Sequence, residues 1–208
     1  MIKIDKQDEV TMLITETKLR RVIRKNLLSE AMMTPERAER RGIRLQVRNY
    51  SDLVTITAIS GEDEDDVVGV LWAEKLPENC LKAWEIRKSK VSSEFDGLGP
   101  LLYDLMIDLV SPDPLTPDRG SVSLAAKNVW DYYMNNRPDI VSSELDNQYD
   151  ERTRGYKADN CEYTSALMWS RKELPWYETS IARAYKRAAG GTPMLDALDN
   201  LGIIEFVS

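Results

Sequence analysis

One stretch, Glu94-Phe95-Asp96-Gly97-Leu98-Gly99-Pro100, limits the chain more than any other. Its glycines permit a sharp backbone turn and a close approach by a ligand, because no Cβ stands in the way. What flanks the turn gives it a setting. Before it, Leu81, Ala83 and Glu85 alternate with Lys82, Trp84 and Ile86, the period-two pattern of a strand. After it, Leu101, Leu102, Leu105, Met106 and Leu109 recur at helical spacing. Pro100 suits the first helical position, where a missing N–H leaves no bond unmade. Strand, glycine turn and helix N-terminus in that order present backbone amides and the positive end of a helix dipole, a ready anion site.

The segments around this core follow by pattern. Val10 to Ile14 reads as a short strand or ordered arm, and residues 16–32 as a basic amphipathic helix. On that helix Leu19, Val22, Ile23, Leu27 and Ala31 share a face, and Lys18, Arg20, Arg21, Arg24 and Lys25 cover much of the rest. Such a helix either packs on the sheet or docks on an acidic partner, nucleic acid or a membrane surface. Thr34-Pro35 opens a short helix that ends at Gly42. Strands are expected over 43–48, 53–60 and 67–74, leading as an antiparallel meander into the strand before the glycine turn.

Beyond the helix after the turn, residues 111–119 are proline-rich and form a loop with at most a two-residue strand at Leu115-Thr116. Ser121 or Ser123 caps a helix that runs to Asn136. Residues 138–160 are polar and read as an exposed excursion, and 162–171 as a strand. Thr179-Ser180 caps a helix over 181–189, Thr192-Pro193 starts another ended by Gly202, and 203–207 closes as a strand or apolar tail. The domain division is therefore an arm and basic helix over 1–33, a ligand-binding domain over 34–176, and a helical extension over 177–208.

Composition excludes several chemistries. There is no histidine, which removes Ser-His-Asp and Cys-His mechanisms and any histidine base or metal ligand. Cys80 and Cys161 are the only cysteines; they form no metal-ligand cluster, and no metal is expected. The net charge of −7 argues against a polyanion binder, although residues 1–48 are net basic. With no signal-peptide pattern in MIKIDKQDEV and no apolar run of membrane-span length, a cytoplasmic protein is expected.

The pattern Glu94-x-x-Gly97-x-Gly99 after a strand and before an amphipathic helix resembles motif A of the GNAT family of N-acetyltransferases. In that family Gln/Arg-x-x-Gly-x-Gly/Ala cradles the pyrophosphate of acetyl-CoA. The resemblance implies an α/β (α+β) fold: a mixed, mainly antiparallel central sheet flanked by helices, here with N-terminal and C-terminal helical extensions. It also implies transfer of an acetyl group from acetyl-CoA to a small-molecule or protein amine. Carried over by position, Val91, Gly97, Leu98, Gly99 and Ser123 bind the cofactor. Glu85, with Glu74 second, is the candidate base. The family's tyrosine acid aligns best with Trp130, whose indole cannot serve; Tyr133, one helical turn on, is the candidate instead. Two departures weaken the site: Glu94 puts a negative charge where Gln or Arg is usual, and Pro100 lacks an N–H.

The stretch from about Glu85 to Arg137 also resembles acetyltransferases encoded by tailed phages, and LRRVIRKNLLSEA resembles a short helix in tailed-phage proteins. A second expectation follows. The chain is then a catalytically degenerate domain of this kind, a structural or docking protein of a phage particle, present in the host cytoplasm or the virion. It would attach to a protein partner through the basic helix or the C-terminal extension.

Overall fold

Alternating burial builds the first half of the sheet. A computed structural model describes residues 32–61, 63, 65–76, 80–118, 120–145 and 178–207. Strands β1 (Ile43–Asn49), β2 (Leu53–Ser60) and β3 (Val67–Lys75) send every second side chain to one face. That face carries Ile43, Leu45, Val47, Val54, Ile56, Ala58, Leu71 and Ala73, all buried. The strands pair antiparallel in sequence order, as the meander pattern predicts, and β3 pairs antiparallel with β4 (Trp84–Val91). Before β1, helix α1 (Pro35–Arg40) is capped by Thr34, whose Oγ1 accepts the Arg37 N–H at 3.3 Å.

β4 starts later than its alternation suggests. Cys80–Lys82 form a tight turn in which Leu81 and Lys82 have φ of 58°, so the strand runs from Trp84 through the lysine-rich stretch to Val91. After the glycine turn comes helix α2 (Leu98–Leu109), lying over β2, β3, β4 and β7. It begins two residues before the expected Pro100, because Gly97 takes the left-handed N-cap conformation (φ 83°) that a side chain would resist. Gly69 lets α2 sit close: a Cβ there would stand 3.2 Å from the Leu98 side chain and 3.3 Å from that of Leu102.

Strand β5 (Leu115–Thr116) pairs parallel with β4 and is followed by helix α3 (Leu124–Asn136), capped by Ser123. Two expectations then fail. Within the polar stretch read as an excursion, Ile140–Glu144 is a strand, β6. The segment read as a helix over 181–189 is a turn at Ser180–Ala182 and strand β7 (Arg183–Arg187). β7 lies between β5 and β6 and pairs antiparallel with both, so this part of the C-terminal stretch belongs to the sheet. Its buried Tyr185 stacks on Trp130 of α3 at 4.9 Å, and that packing overrides the helix propensity of Ala, Lys and Arg.

Helix α4 (Pro193–Asn200) packs on α2 and leads to β8 (Ile204–Phe206), which pairs parallel with β1. Among the described residues, eight strands form one mixed, mainly antiparallel sheet in the order β6-β7-β5-β4-β3-β2-β1-β8, with α2 and α3 meeting through Tyr103 and Trp130. The expected strand at 10–14, helix at 16–32 and strand at 162–171 lie outside the described residues. Among the described residues, no helix is long and apolar enough to cross a membrane.

Ion pairs join the elements that carry the helices. Arg137, after α3, makes two hydrogen bonds to Asp104 of α2, at 2.9 and 3.1 Å, and two to Asp139, at 2.6 and 2.8 Å. Arg187 of β7 reaches Asp108 of α2 at 2.6 Å and Asp139 at 2.8 Å. Burial works against the Arg137 charge, but Asp139 and Asp104 outweigh it and hold the guanidinium above the ordinary arginine value. Arg137 in turn holds the Asp139 carboxyl below the usual range. Burial pushes Asp108 up, with Arg187 and the Leu195 amide opposing it.

Candidate functional site

β4 pairs with β5 over the whole of that two-residue strand, at Trp84–Leu115 and Glu85–Thr116, and then runs on with a gap between it and the segment that leads to α3. The gap is a cleft of about 270 Å³. One wall is Ile86 to Ser89 of β4, the other is Asp118 and Ser121 to Ser123, and Tyr103, Ala126 and Trp130 form the base. β4 is bulged here: Trp72 faces Lys88 but Ala73 faces Ile86, so Arg87 is an extra residue with no partner across the ladder. A bulge re-aims backbone groups out of the ladder, and this one borders the cleft.

The glycine turn stands at the outer end of β4. Gly97 is the left-handed N-cap of α2, and Leu98 is fully buried. The Leu98 N–H is used by Phe95 O at 3.1 Å. Gly99 lies in the first helical turn, whose amides no helical carbonyl reaches. A Cβ on Gly99 would meet only the Val91 Cγ2, at 4.0 Å, so the space over the turn is open to a ligand. Ser123 caps α3 by accepting the Ala126 N–H at 3.2 Å, and it lines the cleft. Val91, Gly97 and Gly99 thus gather at the turn, and Ser123 joins the far wall.

The Glu94 carbonyl accepts a 2.8 Å hydrogen bond from Arg41, whose guanidinium lies over the Phe95 ring at 4.4 Å. Arg41 therefore brings a cation to the turn. Its place there, set by α1 folding back, was not legible in the motif. The expected Pro100 departure stands: it is inside the first turn of α2 and contributes no N–H.

The two catalytic candidates are not in one place. Glu85 pairs with Thr116, the last residue of β5, is 1% exposed, and is not among the residues lining the cleft. Arg87 pairs with it at 3.0 Å and with Glu74, directly opposite Glu85 on β3, at 2.9 Å. Tyr133 is buried away from the cleft lining, and its hydroxyl donates to the Pro100 carbonyl at 3.1 Å. Burial raises its pKa well above the ordinary tyrosine value.

The tyrosine that does line the cleft is Tyr103, 3% exposed, with its ring edge on Trp130 at 5.0 Å. Burial pushes its hydroxyl up, and the Asp118 charge adds to this; a side-chain hydrogen bond with Ser89 of β4 works the other way. The sequence held one signal for it. Tyr103 is four residues after Gly99, so the two share a helix face. Among the described residues no group of three or more Cys, Asp or Glu side chains is arranged to hold a metal ion. No family model, curated protein or solved structure matches the chain.

Proposed function

We propose that the chain is an N-acetyltransferase of the GNAT kind, moving an acetyl group from acetyl-CoA to an amine. The observation that carries this reading is the joining of three features along one strand: the glycine turn at the outer end of β4, the bulge at Arg87, and the cleft beside β4 beyond the end of β5. The Gly99 amide and the α2 dipole suit a pyrophosphate, with Arg41 as a nearby cation. The cleft between β4 and the segment leading to α3 suits an extended pantetheine-like arm. Bulged backbone at its inner part suits a thioester carbonyl that must be oriented and polarised. Glu85, one residue before the cleft lining begins and paired with Arg87, is the candidate that accepts the proton of the incoming amine through water.

One observation favours the docking reading. Arg87 grips both candidate carboxylates, Glu74 and Glu85, which leaves the base neutralised. Calorimetry decides between the two. The wild type is expected to bind acetyl-CoA, and Gly99→Val to weaken binding at least tenfold, since the added side chain enters space the protein leaves open. No binding to the wild type at millimolar acetyl-CoA sinks the enzyme reading and leaves the docking protein.

A further inference from the structure

We propose that the face of β1 to β4 turned away from α2 is a docking surface for a single-stranded nucleic acid. Trp72 is its stacking platform, and Arg48, Lys88 and Lys90 hold the phosphates. This goes beyond the acetyl-CoA reading and does not depend on it.

Helix α2 covers the face of these strands onto which Gly69 opens. Strand alternation sends Arg48, Thr55, Trp72 and Lys88 to the other face. The register sets those four side by side in one row across the sheet: Arg48 opposite Thr55, Thr55 opposite Trp72, Trp72 opposite Lys88. A second row, Gln46, Thr57, Val70 and Lys90, runs beside it. Arg48, Trp72, Lys88 and Lys90 are exposed, and Thr55, Thr57 and Val70 are half-buried. The aromatic ring thus stands on a central strand, with cations on the strands that flank the row.

Charge selects an anionic partner. Among the described residues Arg48, Lys88 and Lys90 are paired with no carboxylate. Glu74, next to Trp72 on this face of β3, is held by Arg87 at 2.9 Å, and Glu205 of β8 lies at the far side beside Gln46. The acidic turn before β3 ends at Asp66, about 20 Å along the strand from Trp72. That exceeds the Debye length of about 8 Å at physiological salt, so the chain's net charge of −7 is not the charge of this row. Lys88 and Lys90 stand about 6.8 Å apart on one strand, and a backbone with an anion on every unit meets them in turn. Trp72 selects among anions. Lys88 Nζ lies over its ring at 4.7 Å, on the side open to solvent. A base displaces that ammonium, because stacking holds a base more strongly than an exposed ring holds a cation, and the lysine turns to the adjoining phosphate. An acidic peptide has no ring to place there. A duplex keeps its bases stacked on one another, so only a single strand presents one. The Thr55 and Thr57 hydroxyls serve base edges as donors or acceptors.

Fluorescence anisotropy of a short labelled oligothymidylate, titrated with the full chain at low salt, tests this. The wild type should bind it, and the matching duplex and a poly-glutamate peptide should compete at least about tenfold less well than unlabelled oligothymidylate. Trp72→Ala should weaken binding about tenfold or more, and Trp72→Phe, which keeps a stacking ring, much less. Lys88 also borders the cleft, so the phosphate contacts are tested at Arg48 and Lys90, which do not. Arg48→Ala and Lys90→Ala should each flatten the slope of log affinity against log salt by about 0.7. Absence of wild-type binding at low salt overturns the proposal. So does a Trp72→Ala protein that binds as the wild type does, which places the binding elsewhere on the chain. Equal competition by the duplex overturns it as well, and equal competition by poly-glutamate reassigns the face to an acidic protein.

Discussion

The Oδ2 of Asp108 accepts the backbone N–H of Met194 at 2.6 Å, so a carboxylate from the last turn of α2 caps the first turn of α4. It also accepts the Leu195 N–H at 3.0 Å, while Oδ1 takes Arg187 Nε. Thr192, the N-cap by position, makes no capping bond to the helix. The cap therefore comes from another helix, and it ties α4 to β7 through a single buried side chain.

Asp108→Ala removes that cap and leaves Arg187 without its closest buried partner. Breaking a buried pair in this way costs about 3–5 kcal/mol. Urea unfolding at neutral pH should show a loss of that size. Hydrogen exchange should rise first in α4 and at the Leu45 amide, which is held by Ile203 O at 2.7 Å. A loss confined to a few tenths of a kcal/mol would show that α4 is held by apolar packing alone.

Asp139 gives the fold an acid-sensitive component. Its carboxyl is held below the usual value by Arg137, with burial opposing and Arg187 adding to the effect. The stability it supplies is full above about pH 4, the ordinary carboxyl value, and is lost as pH falls through the lower folded value. Asp139→Asn should therefore destabilise clearly at neutral pH and little at about pH 2. An equal destabilisation at both would mean that the charge is not what matters. Asp108, whose folded value is raised, acts in the opposite sense, favouring the folded state as pH falls towards the ordinary carboxyl value.

Gly69→Val tests the spacing between β3 and the start of α2. Even a Cβ at Gly69 falls 3.2–3.4 Å from Leu98, Leu102 and Ala58. Overpacking of this kind costs roughly 1–3 kcal/mol. Because Leu98 follows the turn glycine directly, acetyl-CoA affinity should fall along with the melting temperature. Unchanged affinity in a folded Gly69→Val protein would separate the turn from the packing beneath it.

The two turn glycines should respond differently to alanine. Gly97 has φ of 83° and Gly99 shows no such value. Gly97→Ala should lose about 1–2 kcal/mol, the cost of a left-handed non-glycine residue. Gly99→Ala, in the first turn of α2 with only Val91 nearby, should leave stability unchanged or raise it by up to about 1 kcal/mol. Thermal unfolding of the pair reads the difference, and equal losses would contradict it.

The meander was legible because β1 to β3 bury one face, and one-faced burial writes itself as alternation. The glycine turn was legible because its backbone demands glycine at position 97. β7 was not. Ala184 and Tyr185 are adjacent and both buried, and Arg187 is buried by partners from α2 and from Asp139. No local pattern announces a buried arginine. β6 hid for a similar reason: four of its residues are at least partly accessible, so Ile-Val-Ser-Ser-Glu reads as loop. The cleft itself lies between β4 and the segment from Asp118 to Ser123, which only the tertiary fold brings together. Tyr103 acquires its setting only when that gap opens beside α2, whereas Tyr133, favoured by sequence, turns its hydroxyl to Pro100.

The pairing of β8 with β1 joins segments from opposite ends of the described chain, Leu45 with Ile204 and Val47 with Phe206. Contacts this distant in sequence bear the full entropy of loop closure before they return any stability. During synthesis β1 thus emerges early, pairs with β2 at once, and keeps its other edge unsatisfied until α4 and β8 follow. An open edge in a nascent chain is a template for wrong partners. The Asp108 cap acquires a kinetic meaning in that light: by seating α4 on α2, it raises the local concentration of β8 beside the waiting edge and shortens the time that edge stays exposed.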